Sequence, residues 1–466
     1  RFGFWTGANG QDGPVFSGKV SQSYGDASYY RFGSRQPPPP VNANSDIVDG
    51  VLVAPEFNAG FDRGVPPVPP ANNAYNQARA VLDGGFSLSP NSPTDAEMDT
   101  ALRPATALTT ALSNPKDPSS TIPDLPNGIY IPTDGESFNG SGVYVVGNAD
   151  QILLSADPSG NRQIIKITQG TETVTMVVDV DAGTTTIDAG NGIKTLRGIP
   201  LDRSTSTGGT RPGASLFVYG DVNSLTGPGR DGNGQPLPAI DSEFTMTVTA
   251  AGHSVPDAAN PVQGGNVTIK GDLTYETPVV DGVGNPINPN ATNVLGIFAS
   301  GGNVSIPIDG SAPSNLTINA SIAAFQLKDG QGNALLGPDG KPYGGRIRSD
   351  LKNWQSVGNL GQITLVGGMQ SSTYDNFGVY NGDMHGYSYQ GFWDSRYDHN
   401  QAPPFYPGYL VNLGAPTGVP VVKVQKSNPT VLSYKRIYYG TQSPAGNGGS
   451  TGNSGNNSNS GNGGTP

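Results

Sequence analysis

Leu216-Phe217-Val218-Tyr219-Gly220-Asp221-Val222 reads apolar-x-apolar-x, then a glycine corner, then apolar again. Val267-Thr268-Ile269-Lys270-Gly271-Asp272-Leu273 repeats it, and Leu316–Ile322 and Ile363–Met369 are further copies with Ala320 and Gly367 at the small position. Weaker relatives begin at Phe244 and Val294. The alternation is that of β-strands with one buried face, and a tight corner needs a small residue at a fixed place. Copies beginning at 216, 244, 267, 294 and 316 are about 22–28 residues apart, a spacing that predicts stacked coils. The expected fold is therefore mainly β: an elongated β-solenoid-like domain with inserted hairpins. An ordinary β-sandwich, whose strands also alternate, is the competing reading.

Composition agrees with a turn-rich, strand-rich chain. Gly (67) and Pro (41) are abundant, charged residues make up only 14%, and no Gly-X-Y period exists, so collagen is excluded. With no cysteine, a disulfide framework and a Cys-based metal site are excluded as well. A net charge of −11 opposes generic nucleic-acid binding. The charge is uneven, however. Residues 401–466 hold no Asp or Glu but carry Lys423, Lys426, Lys435 and Arg436, and the stretch 341–352 sets Lys341, Arg346, Arg348 and Lys352 against Asp350. These eight cations are the candidate contacts for DNA or another anionic ligand; a merely solvated face is the bland reading.

Along the chain, residues 1–127 read as short strands, a Pro37–Pro40 linker and a small helical region near the N-terminus. A helix is expected over Asn73–Leu82, stopping at Gly84-Gly85, and another from the Thr94-Asp95-Ala96-Glu97 cap to Arg103. Residues 128–214 read as β-hairpins, with Gln163–Thr168 and Thr173–Val178 flanking a turn at Gln169-Gly170-Thr171-Glu172. Residues 215–373 are the expected solenoid, punctuated by Asp-Gly turns at 231, 281 and 329, with a protruding hairpin over 327–350. Residues 374–440 form an aromatic-rich closing segment with C-terminal strands, and the Gly/Asn/Ser-rich 441–466 is a tail without means of building a core, expected to be disordered.

Several segments, in order, resemble one family. Asp12–Val20 resembles its opening element, and Val294–Ile306 its central one, with Leu316–Phe325 and Gly361–Gln370 following. Asp394-Ser395-Arg396-Tyr397-Asp398 and Pro403-Pro404-Phe405-Tyr406-Pro407 resemble its closing Tyr-Asp-Pro-Arg and Pro-Pro-x-Phe-Pro element. The family comprises large pilin-like proteins of bacterial type IV pilus systems, similar to the competence-associated minor pilin with a β-solenoid domain. The hydrophobic helix of a pilin is not in this sequence, and Ser395 stands where the family element commonly has Pro. The chain opens at Arg1-Phe2-Gly3 without Met and reads as a mature or trimmed product. The resemblance implies a non-enzymatic, extracellular protein at a cell surface or pilus, acting in DNA capture or adhesion. Its partners would be other pilus or filament subunits, DNA or surface polysaccharide, and it would meet a membrane only through the helix absent here.

The densest chemistry lies in 374–409. Tyr380, Tyr387, Tyr389 and Trp393 are candidates for stacking on sugar rings or unpaired bases; the alternative is that the aromatics cap the open core of the stack. His385, His399, Asp383, Asp394 and Asp398 lack zinc-ligand spacing, and no Asp-Gly turn completes a calcium loop. No cofactor, catalytic residue or metal site is expected. The alternatives are a structural subunit of an extracellular filament or cell-surface layer, and a β-helix polysaccharide-degrading enzyme, which would need an acid–base pair on one face.

Overall fold

The computed structural model describes residues 127–202, 210–251, 265–326 and 342–406, with short gaps inside these ranges. It also describes Ala74, Gln77, Ala78, Ala80, Val81, Leu336, Gly340 and two- to four-residue strands between Gly3 and Asp62. The protein is mainly β. A ten-stranded sheet, the first, and a twelve-stranded sheet, the second, enclose the core.

From Gly142–Val146 the first sheet runs through Arg211–Tyr219, Thr245–Ala251, Val294–Ser300, Thr317–Phe325, Asn359–Ser371 and Met384–Phe392, every neighbour parallel. The second runs in parallel from Gln151–Asp157 through Val222–Thr226, Val267–Ile269, Val304–Ser305 and Arg346–Arg348 to Thr373–Tyr374. In chain order the strands alternate between the sheets, so each pass of chain adds one strand to each. A short third face pairs Pro238–Ile240 with Thr274–Tyr275. Val143, Leu216, Val248, Ile297, Ile318 and Leu365 from the first sheet meet Val222, Ile269, Val304 and Ile347 from the second in one buried cluster. Five antiparallel strands from Gln151–Asp157 to Ile193–Arg197 extend the second sheet at its early end. The expected hairpin is among them: Gln169 pairs with Glu172 around Gly170-Thr171, and Gly170 has φ +59°.

One expectation is corrected. The strand phrase does not mark one place in the pass, because Val267–Ile269 lies in the second sheet while the copies at 216, 244, 294, 316 and 363 lie in the first. Apolar alternation ending in a small residue occurs wherever a strand meets a corner, on either sheet, so the even spacing of the copies does not measure a pass. First-sheet strands start unevenly, at Arg211, Thr245, Val294, Thr317 and Asn359. Strand Arg211–Tyr219 crosses position 214/215 and strand Thr373–Tyr374 crosses 373/374. The turns at Asp231 and Asp281 are tight hairpin tips, each aspartate accepting backbone N–H groups two and four residues on. Most of 327–350, the helix expected at 94–103, and the segment 407–466 lie outside the described residues.

The corner between the sheets is built the same way in successive passes. Asn148 Oδ1 accepts from Asp221 N at 2.9 Å, Asp221 Oδ1 from Asn266 N at 2.9 Å, Asn266 Oδ1 from Asn303 N at 3.0 Å, and Asn303 Oδ1 from Arg346 N at 3.1 Å. A glycine precedes each member of this ladder. A Cβ at Gly302 would lie 2.1 Å from the Gly265 carbonyl, so only glycine lets adjacent corners stack so closely. Strand hydrogen bonding stops at a corner, and the side-chain oxygens of Asn and Asp satisfy the N–H groups left over.

The outer face of the first sheet is also buried. Gln77, Ala78, Ala80 and Val81 are helical, within the expected Asn73–Leu82, and Ala74, Ala78 and Val81 pack on Tyr144, Phe217 and Phe298. Residues 401–406 cross the same face: Thr247 Oγ1 donates to Pro404 O and Gln77 Nε2 to Phe405 O.

Two outcomes follow from this packing. Asn266→Ala deletes the middle of the ladder and leaves Asn303 N without its acceptor; denaturant unfolding should show a loss of about 1–3 kcal/mol. Asp241 is wholly buried, with Oδ2 unpartnered, and burial followed by the nearby Glu276 and Glu243 raises its pKa. The raised folded value means that ionisation opposes folding: the penalty is absent below the unfolded pKa of about 3.9 and grows as pH rises through the folded value. Asp241→Asn should therefore raise the melting temperature at pH 7 relative to wild type, and the difference should vanish near pH 3.

Candidate functional site

Strand alternation decides which groups of the second sheet face solvent. Val267, Val304 and Ile347 point inward and are buried, so Thr268, Ser305 and Arg348, paired in register across three strands, point outward. Arg346 lies two residues from Arg348 on the same outward face, beside Thr373. Adjacent strands are ~4.8 Å apart and alternate residues on one strand ~6.6 Å apart. The two guanidinium groups thus stand on a rigid ribbon among hydroxyls and amides, both half-buried, with Ile347 pinning the strand between them. Lys270, directly after Val267–Ile269, lies toward the same face, and its charge helps to lower the Asp309 pKa, behind the hydrogen bonds from Ser311. Sequence reasoning passed over Lys270 because it sits in a strand phrase rather than in a basic run. Of the other predicted cations, Lys341, Lys352, Lys423, Lys426, Lys435 and Arg436 lie outside the described residues.

The four aromatic candidates are not brought together. Tyr380 is 77% exposed, at the edge of the first sheet. Tyr387 is 1% exposed and belongs to the core, where its hydroxyl donates to Pro313 O at 3.2 Å and burial pushes its pKa up to about 12. A stacking role for Tyr387 is therefore corrected: it sits on the last parallel strand, where an inward ring fills the end of the stack. Tyr389 is half-buried and stacks on Phe377 at 5.5 Å, and Trp393 meets Tyr397 edge-on at 5.6 Å. Phe377 and Tyr387 occupy the capping position that the competing reading assigned to this segment. His385 Nδ1 lies 2.6 Å from Val357 O, and its ring meets Trp354 edge-on at 5.0 Å. Among the described residues no group of three His, Asp or Glu side chains is arranged to hold a metal ion.

The closing element is a lock. Arg396, 2% exposed, donates through Nε and Nη2 to both oxygens of Asp394 at 2.9 and 2.7 Å. Its Nη1 reaches Ala291 O at 2.7 Å and Asn293 Oδ1 at 3.2 Å, and its guanidinium lies 5.4 Å from the centre of the Tyr275 ring. A buried guanidinium needs this full set of acceptors, since its desolvation costs several kcal/mol. Further along, Arg211 ties Asp202 to Gln401 and to the Ala402 carbonyl. No local motif in the sequence marks Arg211, because two of its three partners, Gln401 and Ala402, are about 190 residues away. Asp394, Arg396, Phe405 and Tyr406 of the closing element are thus buried in packing.

Compared with protein-family models, with curated proteins and with solved structures, the chain matches none.

Proposed function

We propose that this chain is a non-enzymatic, extracellular binding protein of the pilus-associated, minor pilin-like kind. In this reading its parallel stack is a β-solenoid scaffold, and its ligand is an anionic polymer, DNA or an acidic surface polysaccharide. The observation that carries the reading is the outward row on the second sheet, where Arg346 and Arg348 share one rigid strand with Ser305, Thr268 and Thr373 in register around them. Two guanidinium groups at alternate positions of one strand suit neighbouring phosphates or carboxylates, and guanidinium binds either one bidentately. The hydroxyl and amide neighbours add sequence-independent hydrogen bonds, which position a backbone without reading bases. The overall charge of −11 confines attraction to this local face and disfavours indiscriminate adsorption. The family resemblance points the same way, toward capture or adhesion outside the cell.

Fluorescence anisotropy with labelled duplex DNA and with an acidic polysaccharide, over about 50–200 mM salt, tests this. Binding should weaken steeply with salt, and Arg348→Ala should weaken it further while lowering the salt slope by about one. A thermal melt of the variant controls for folding. No retention of either polymer at the lowest salt would overturn the proposal.

A further inference from the structure

The five antiparallel strands at the early end of the second sheet carry a pattern of their own on the outward face. Ile152, Ile165, Met176, Thr185 and Leu196 point inward and are buried. Register therefore places rows of alternate residues outward. One row reads Leu153–Lys166–Thr175–Asp188–Ile193, and the next reads Ser155–Ile164–Val177–Thr186–Thr195. Ile193 is 72% exposed, Lys166 and Asp188 are exposed, and Leu153, Ile164 and Val177 are half-buried. The outer face of an antiparallel sheet is ordinarily polar throughout. Here apolar side chains sit among paired opposite charges.

The charges are arranged about the central strand, Glu172–Asp179. Lys166 and Asp188 flank Thr175 on its two sides, each one strand spacing away, ~4.8 Å. Leu153 and Ile193 flank it at two spacings. A third row, Asp157–Arg162–Asp179–Thr184–Arg197, follows the same rule at its ends. Arg162 is shared between Asp157 and Asp179, at 3.7 and 2.7 Å, so that half of the row keeps a net negative charge. Arg197 holds the other end, with only the exposed Glu136 near it at 3.9 Å. Rotating the face by half a turn about the central strand thus lays Lys166 over Asp188, Leu153 over Ile193, and Asp157 over Arg197. Val177 meets Val177 at the axis. So does Asp179, where the Arg162 of each copy offsets the repulsion.

We propose that this face binds a second copy of the chain, in a two-fold dimer whose axis runs along Glu172–Asp179. A two-fold interface needs a patch complementary to itself, and charge complementarity of this kind is what the register supplies. Sheets packed face to face keep their strands within about 30° of one another, so the rows stay in step near the axis. The footprint is about 24 Å by 20 Å, roughly 500 Å² per copy, which places the dimer in the weak class. The parallel strands continue from the Gln151–Asp157 side alone, so the two stacks leave the contact in opposite directions. Arg348 of each copy then stands outside the overlap.

Analytical ultracentrifugation of the full chain tests this. Wild type should pass from monomer to dimer between about 1 μM and 1 mM. Lys166→Glu alone sets like charges across both contacts, as does Asp188→Lys alone, and each should weaken dimerisation at least tenfold. An equimolar mixture of the two variants should dimerise like wild type, because every contact again joins opposite charges. A chain that stays monomeric at every concentration overturns the proposal. So does a dimer indifferent to both variants, or a loss that mixing fails to restore. The readout involves no polymer, so the result stands apart from the binding test.

Discussion

Every pass of this chain must turn a corner, and at a corner the strand hydrogen bonds stop. The ladder from Asn148 through Asp221, Asn266 and Asn303 to Arg346 N answers that constraint: each side-chain oxygen supplies the acceptor that the next backbone N–H has lost. Only with the corners in phase do the apolar positions of successive strands fall above one another. The continuous core, the outward row at Arg348 and the buried outer face of the first sheet all depend on this alignment. A second corner is held differently. Buried Asp272 accepts from Arg230 Nε and Nη2, at 2.7 and 3.1 Å, and from the Thr317 amide at 2.7 Å. Both corners thus use side-chain oxygens to satisfy backbone N–H groups, the second with a paired guanidinium as well.

Much of the fold is legible in the sequence, for reasons visible residue by residue. Alternation in Thr245–Ala251 and the apolar run Val294–Ser300 identify strands, Gly170-Thr171 identifies its hairpin, and Ala74, Ala78 and Val81 identify a small helical face. Pass length is not legible, because a corner looks alike on both sheets and the excursions between strands vary freely in length. The role of the closing segment escapes for a different reason. A tyrosine such as Tyr387 reads the same whether it caps a core or greets a ligand, and only the position of its strand at the end of the stack decides between them. On the candidate face, Arg346 and Arg348 stand out as a pair two residues apart, whereas Lys270 is invisible until register places its strand two away from theirs, across Val304–Ser305.

The stack is close to one-dimensional: a pass touches the passes beside it and few others. Tension along its axis would load the strand hydrogen bonds head-on and peel passes away one at a time. The segment 401–406 runs across that direction of failure. It is tied to Arg211 on one strand, Thr247 on the next and the surface at Gly296 on the third, and the Asp394–Arg396 lock is anchored just before it. It therefore works as a tendon laid over three passes, sharing axial load between bonds that would otherwise break in sequence. A stack so braced resists being pulled apart from its ends.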